Sequence, residues 1–507
     1  MEPEYSKGEE GTFLILPILH KTNTLKTLLF TLLATIILPQ LTFAQPGIAW
    51  EPEIIVSDGA VYGKIRPRAA LVGDEPIVVY AGFGAENIFI SRWNGTGFDT
   101  NPVLPTGTSS YAATWTGPDI AAKGDTVIAV FKLNPSESGN VYVIRSVDGG
   151  QNFSDTIRVG NYTGGNPWMP SLEIDDNGNP TVAIMIHDGQ WANPRQALFH
   201  SNDAGLSFGP AEEISSNVPG EACDCCPSEV VIDGSREVLL MRNNDNNIRE
   251  VFGILSTDGG TSFPFTENVD QLNWNISQCP ATGMDGYFLN DELFTTFSSR
   301  ADGTYRVYVS RSDISSGLSM TERLSVPAPT NGGQNYPTMS GANDTIVMAW
   351  EERIGTNKEI YYSLSVGSNP LNQLSTLKSQ ANATALGNQT NPDILYKNGY
   401  VHLFYQDDAN GNVVYRRGRV TDVANITESN IQNVVISPNP SSNNRARITG
   451  IRSITSVVSL DGKELRFQTS ESKNQIELEI LQKVNGVHFI HCKNDNGDDI
   501  VLRWMVL

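Results

Sequence analysis

Seven short units of the form x-Pro-x-apolar punctuate this chain, at Pro67, Pro118, Pro170, Pro227, Pro280, Pro337 and Pro392, spaced 51 to 57 residues apart. Each is followed by a β-rich run: IVVYAGF (77–83), VIAVFKL (127–133), TVAIMIH (181–187), EVLLMRN (237–243), ELFTTFSS (292–299), TIVMAWEE (345–352) and YVHLFYQD (400–407). A second β run comes next, such as NVYVIRS (140–146) or EIYYSLS (359–365). One such unit cannot bury both faces of its sheet alone. A repeat of this length built from a few short strands therefore reads as the blade of a propeller. The β run Glu51–Ser57 precedes the first unit, and the last unit lacks a clear fourth strand. If the first run completes the last blade, no sheet edge is left open. The fold class expected is all-β: a seven-bladed β-propeller, with six blades as the alternative, followed by a small C-terminal β-sandwich.

Three further segments lock the phase. Ser146–Phe153, Ser201–Phe208 and Ser256–Phe263 all fit S-x-D-x-G-x-x-F, 28 to 31 residues after their prolines, and Ser91–Phe98 is a degenerate copy. In such a turn Asp148, Asp203 or Asp258 caps backbone N–H groups, glycine takes positive φ, and phenylalanine plugs the seam. These turns resemble the Asp boxes (BNR repeats) of the sialidase superfamily. The resemblance implies a propeller; its bearing on function is weaker, because such boxes are structural and also occur in propellers without catalysis.

The two ends of the chain read as addresses. Leu28–Phe43 is apolar, preceded by Lys21 and Lys26 and ending at Ala44 with small residues at the exit, the pattern of a signal peptide over 1–44. The propeller is expected over 45–425 and a linker over 426–433. Residues 434–507 carry Pro438-Asn439-Pro440, Asp461-Gly462-Lys463 and an Asn485-Gly486 turn before an aromatic strand. This segment resembles the type A C-terminal sorting domain of the Bacteroidetes type IX secretion system. The resemblance implies export machinery as a partner, and a mature chain released or held at the cell surface with no transmembrane anchor. With 35 Lys+Arg against 56 Asp+Glu, a net charge of −21, the chain lacks the basic face that a nucleic-acid backbone requires.

Strand direction places the residues before each proline, and the loops after each second strand, at one end of the ring. That end gathers Arg66, Trp168, Trp274 and four cysteines, with His187, Trp191, Arg242, Asp245, Arg249, Glu250, Arg300 and Arg306 on its loops. Clustered arginines favour a carboxylate-bearing ligand and tryptophan faces suit sugar rings. A sialidase needs three arginines, a Tyr nucleophile with a Glu, and an acid/base Asp. Arg66, Arg242 and Arg249 are the arginine candidates and Glu250 the carboxylate, with Trp168, His187, Trp191, Asp245, Trp274, Arg300 and Arg306 as ligand contacts. Arg66 stands one position away from the family's aromatic-Arg-Ile-Pro pattern, and no tyrosine partner for Glu250 stands out. Cys223, Cys225, Cys226 and Cys279 lie at neighbouring blade entrances. Outside the cell they form two disulfides, with three pairings open. The alternative is a soft metal ion such as Cu(I) or Zn. Otherwise no cofactor is required. Three functions follow: a propeller binding an extracellular, acidic glycan; a glycosidase of sialidase type; or a cysteine-based metal or redox protein.

Overall fold

The computed structural model describes residues 46–507 except 58–63, 83–86, 106, 163, 329–331, 385, 422–433, 460–462, 473–474 and 495–498, so the signal-peptide segment and the 426–433 linker lie outside the described residues. Each proline unit opens the innermost strand of its own antiparallel sheet: Lys64–Val72, Asp119–Lys123, Asn166–Ile174, Glu229–Asp233, Met284–Leu289, Gln334–Ala342 and Gln389–Lys397. Within each sheet the strands lie in chain order from the inside outward. The inner strands touch one another in sequence, and the last returns to the first. The fold is a β-propeller. Its closure is a shared sheet, in which Gly47–Trp50 and Ile54–Ile55 both pair with Asn412–Thr421. The N-terminal run thus starts its pairing earlier than Glu51. Glu53 fastens it by accepting the Tyr405 hydroxyl at 2.5 Å and the Thr384 hydroxyl at 2.7 Å.

Apolar alternation is used on both faces of every sheet, so the core is divided into seams. Ile128 and Val130 of the second sheet pack with Leu172 and Val182 of the third. Val78 and Tyr80 of the first pack with Phe404 and Tyr415 of the last. Each side chain buried in this way contributes about 1.5–3 kcal/mol. Near the axis the seams are stitched by carboxylates. Asp393 accepts the Ala69 N–H at 2.6 Å, Asp119 that of Leu172 at 2.9 Å, and Asp285 that of Met339 at 2.7 Å, each reaching into the next sheet. Those bonds satisfy inner-strand donors that have no neighbour on the axial side.

The S-x-D-x-G-x-x-F segments sit at the turn from third to fourth strand. Asp148 accepts the Asn152 N–H at 2.9 Å, Asp203 that of Ser207 at 2.9 Å and Asp258 that of Ser262 at 2.9 Å. Gly150, Gly205 and Gly260 take φ of 78°, 82° and 76°, and Phe263 is buried in the seam of the third and fourth sheets. In the degenerate copy Trp93 stands at the aspartate position, and Asn94, one place on, accepts the Gly97 N–H at 2.9 Å.

The C-terminal residues form two sheets. One holds Val435–Ser437, Arg445–Thr449, Gln475–Ile480 and Phe467–Ser472; the other holds Ile451–Ser459, Gly486–Asn494 and Asp499–Val506. Ile448, Leu478, Ile490 and Trp504 fill the space between them. Among the described residues no helix is long and apolar enough to cross a membrane.

Candidate functional site

The marker prolines do more than start strands. Proline has no N–H to give the ladder, and the register slips at this point in four sheets, between Ile65 and Arg68, Trp168 and Ser171, Asn335 and Thr338, and Thr390 and Asp393. The residue before each of these prolines is left-handed: Arg66 at φ 51°, Met169 at 46°, Tyr336 at 48° and Asn391 at 48°. A side chain held there costs roughly 1–2 kcal/mol. Strain repeated at one ring position marks the mouth as the place where backbone regularity is given up.

Around the axis Arg66, Arg68, Trp115, Glu229 and Tyr336, from four different units of the repeat, line a cavity of about 30 Å³. That volume suits a water molecule, far below the several hundred Å³ of a small-molecule pocket. Arg66 is buried; its Nη1 donates to the Pro118 carbonyl at 3.1 Å and its backbone N–H to Gln406 Oε1 at 3.3 Å. Loss of water, and Arg68 beside it, push its pKa down to about 9. Tyr336 bonds the Thr114 side chain, and burial followed by the charge of Glu351 pushes its phenol up to about 12. Burial also raises the Glu351 pKa, against the ammonium of Lys358 2.6 Å away. The charges of Glu351 and Arg66 both act on the Tyr336 phenol, a tyrosine–glutamate combination that the sequence does not reveal. The available signal was position: Tyr336 precedes Pro337 as Arg66, Cys226 and Cys279 precede their prolines.

Arg242 and Arg249 turn inward. Arg242 is buried; its Nη1 donates to Arg249 O at 3.1 Å and its Nη2 to Ser298 O at 2.8 Å. Asp270 lies 3.7 Å away and the Trp274 ring 5.1 Å from its guanidinium. Burial lowers its pKa to about 10. Arg249 Nη1 lies 3.0 Å from Cys223 Sγ and 3.6 Å from Asp224. Glu250 accepts the Asn273 N–H at 2.8 Å and Asn268 Nδ2 at 2.6 Å. Asp245 closes a turn with Ile248 and holds Asn246 at 2.8 Å. Arg300 is exposed and bonds Gly303 O at 3.0 Å within its own turn, while Arg306 begins the strand Arg306–Asp313. Arg242, Arg249 and Glu250 are thus wall of the seam between the fourth and fifth sheets.

Beside that wall the cysteines pair as Cys223–Cys226 and Cys225–Cys279, with Cα separations of 5.4 and 6.1 Å. The second bridge joins two neighbouring units of the repeat. Sulfurs bonded to each other are not thiolates, so the soft-metal alternative is not supported here.

At the second and third sheets, aromatic rings form a connected run. Tyr111 meets Trp168 at 4.6 Å between centroids, Trp168 meets Trp191 at 4.6 Å, and Trp191 stacks on His187 at 4.3 Å. Trp168 and His187 are buried; Tyr111, Trp115 and Trp191 are half-exposed. Gln190 and Trp191 both take positive φ, 60° and 61°, so the chain is bent out of its preferred region to seat the indole there. The Lys132 ammonium lies 5.8 Å from the Trp168 ring, bonded to Gly139 O, and burial lowers its pKa to about 8. His187 Nδ1 donates to the Asp188 carbonyl 2.6 Å away, and its buried Nε2 has no partner among the described residues. Arg195 flanks the run, 3.1 Å from Asp188. Tyr111 was missed by sequence reasoning; its signal is the Tyr111–Trp115 pair just ahead of Pro118.

No protein-family model matches the chain, and no curated protein matches it. Several solved structures resemble it in fold. A polysaccharide lyase is 9% identical, with 74% of this chain and 100% of that chain covered, at a TM-score of 0.49. An ulvan lyase is 11% identical, covering 76% and 97%, at 0.45. A protein of unknown function from Dyadobacter fermentans is 13% identical, covering 63% and 99%, at 0.44.

Proposed function

We propose that this chain is a ligand-binding propeller whose ligand is an extracellular glycan, held on the half-exposed rings of Tyr111, Trp115 and Trp191. The contrast between the two sides of the mouth carries the reading. The arginines that would grip a carboxylate in a sialidase are taken up by wall carbonyls and sulfur, and the axial cavity holds about one water. The aromatic run instead presents ring faces with polar edges, which is how a protein holds a sugar without enclosing it. The finer reading, an acidic glycan, rests on Arg195, half-buried beside the rings. Two disulfides support work in an oxidising exterior. The C-terminal segment is proposed as the address read by type IX secretion.

A second reading, hydrolysis of sialidase type, is favoured by one observation: Tyr336 and Arg66 line the same axial cavity, and the charge of Glu351 acts on the Tyr336 phenol. A phenol held near pKa 12 is a poor nucleophile, which ranks this reading second. The test is a titration of tryptophan fluorescence with a panel of neutral, uronic and sialylated polysaccharides, run beside an assay for released sugar. The proposal expects saturable binding to an acidic member with no product. Product release that disappears in Tyr336→Phe establishes the second reading instead.

A further inference from the structure

The four cysteines are arranged for more than stapling. Their burial is graded: Cys279 is exposed, Cys225 half-buried, and Cys223 and Cys226 are buried. The two bridges are also close to each other, because Cys225 Sγ lies 3.8 Å from Cys223 Sγ. The sulfurs of Cys223, Cys225 and Cys226 all fall within 4.8 Å of one another. A guanidinium stands at the sulfur in the middle of this arrangement, with Arg249 Nη1 3.0 Å from Cys223 Sγ. Exchange between disulfides needs an accessible sulfur, a thiolate within reach of the next bridge, and positive charge to favour that thiolate. All three are present.

We propose that this cluster is a thiol–disulfide exchange site that takes electrons from an external dithiol at its exposed bridge and passes the exchange to its buried one. A thiolate of the dithiol attacks Cys279 Sγ, forming a mixed disulfide and releasing the Cys225 thiolate. The second thiol of the reagent displaces Cys279, so the dithiol leaves as a disulfide and Cys279 as a thiol. The Cys225 thiolate then attacks Cys223 Sγ, forming a Cys223–Cys225 bond and releasing Cys226, which takes up a proton. Two electrons enter in the first stage; the second only moves the bridge. Negative charge spreads over three sulfurs in that second step, and Arg249 stands beside the central one as a positioning residue. The thiols left at the end, Cys226 and Cys279, occupy the same place before Pro227 and Pro280 in neighbouring repeat units.

The experiment treats the folded full-length chain with one equivalent of dithiothreitol, alkylates it, and maps the labels by peptide mass spectrometry. Cys492, a free buried cysteine in the C-terminal sheets, serves as the unchanging background. The relay predicts label at Cys279 and Cys226. Label at Cys279 and Cys225 overturns it, as does the absence of label until denaturant is added. In Cys279→Ser the released Cys225 can start the second step without reductant, so label collecting at Cys226 supports the relay and label confined to Cys225 refutes it. Arg249→Gln is expected to slow the appearance of Cys226 about tenfold at neutral pH and to shift its pH profile upward by about one unit. A slowed rate with an unshifted profile contradicts the role given to Arg249.

Discussion

The two sides of this propeller mouth are built from the same repeat and do opposite things with their polar groups. Between the fourth and fifth sheets, Arg242, Arg249 and Glu250 are buried and consumed by Ser298, Asp270, Cys223 and Asn273. Around the second and third, Trp191 and Trp115 remain half-buried, and His187 keeps a ring nitrogen without a partner among the described residues. The difference teaches that a charged residue at a propeller mouth is not by that fact a ligand contact. A guanidinium withdrawn from water must find carbonyls or carboxylates, and once it has found them it serves the wall. An indole has no such debt, so a half-exposed one is the better marker of binding.

Substitutions break the comparison in a definite order. Arg242→Ala, which strands Asp270 in a dry seam, is expected to cost about 3–5 kcal/mol in urea unfolding. Retention of full stability would remove Arg242 from the wall and return it to the list of ligand groups. Trp191→Ala is expected to weaken glycan binding roughly tenfold, about 1.4 kcal/mol, while the unfolding midpoint stays close to that of the parent. If stability falls instead and affinity holds, the aromatic run is core.

Lys132 sharpens the picture through pH. Its pKa falls from an ordinary 10.5 to about 8 in the fold, so the unfolded chain binds more protons above pH 8. Stability should therefore rise with pH from about 8 towards 10 through this group, and Lys132→Met should flatten that rise in thermal melts at several pH values. The smallest effect belongs to the turns. Asp203 and Asp258 are held down to about 2, chiefly by the hydroxyls of Ser207 and Ser262. Their contribution is present above the ordinary aspartate pKa and disappears as pH drops through about 2, so Asp258→Ala should lower the melting point slightly at neutral pH and not at all in strong acid.

Much of the architecture was written locally. Proline spacing fixes the phase of the inner strands, because each repeat puts a residue without a backbone donor in or just ahead of its inner strand, and S-x-D-x-G-x-x-F fixes where the third strand ends. The neighbouring positions of Cys226 and Cys279 correctly put two segments 53 residues apart side by side, although Cys225 makes the bond. The site was far less legible. Whether Arg242 faces solvent or a seam depends on Asp270 and Ser298, residues with no sequence tie to it. Tyr336 stands at the register slip between Asn335 and Thr338, and a bulge is invisible to a period-two reading. The helix Pro370–Thr376 stands where three other units carry their S-x-D-x-G-x-x-F turn, a local exception that the repeat itself concealed.

A crystal soaked with an oligosaccharide found to bind in solution gives the most direct test. Density for a sugar ring against Trp191 and Trp115, with Arg242 and Arg249 unmoved, is the predicted result. Sugar seated over the axis, with its carboxylate on Arg66 and its anomeric carbon facing Tyr336, would contradict the account.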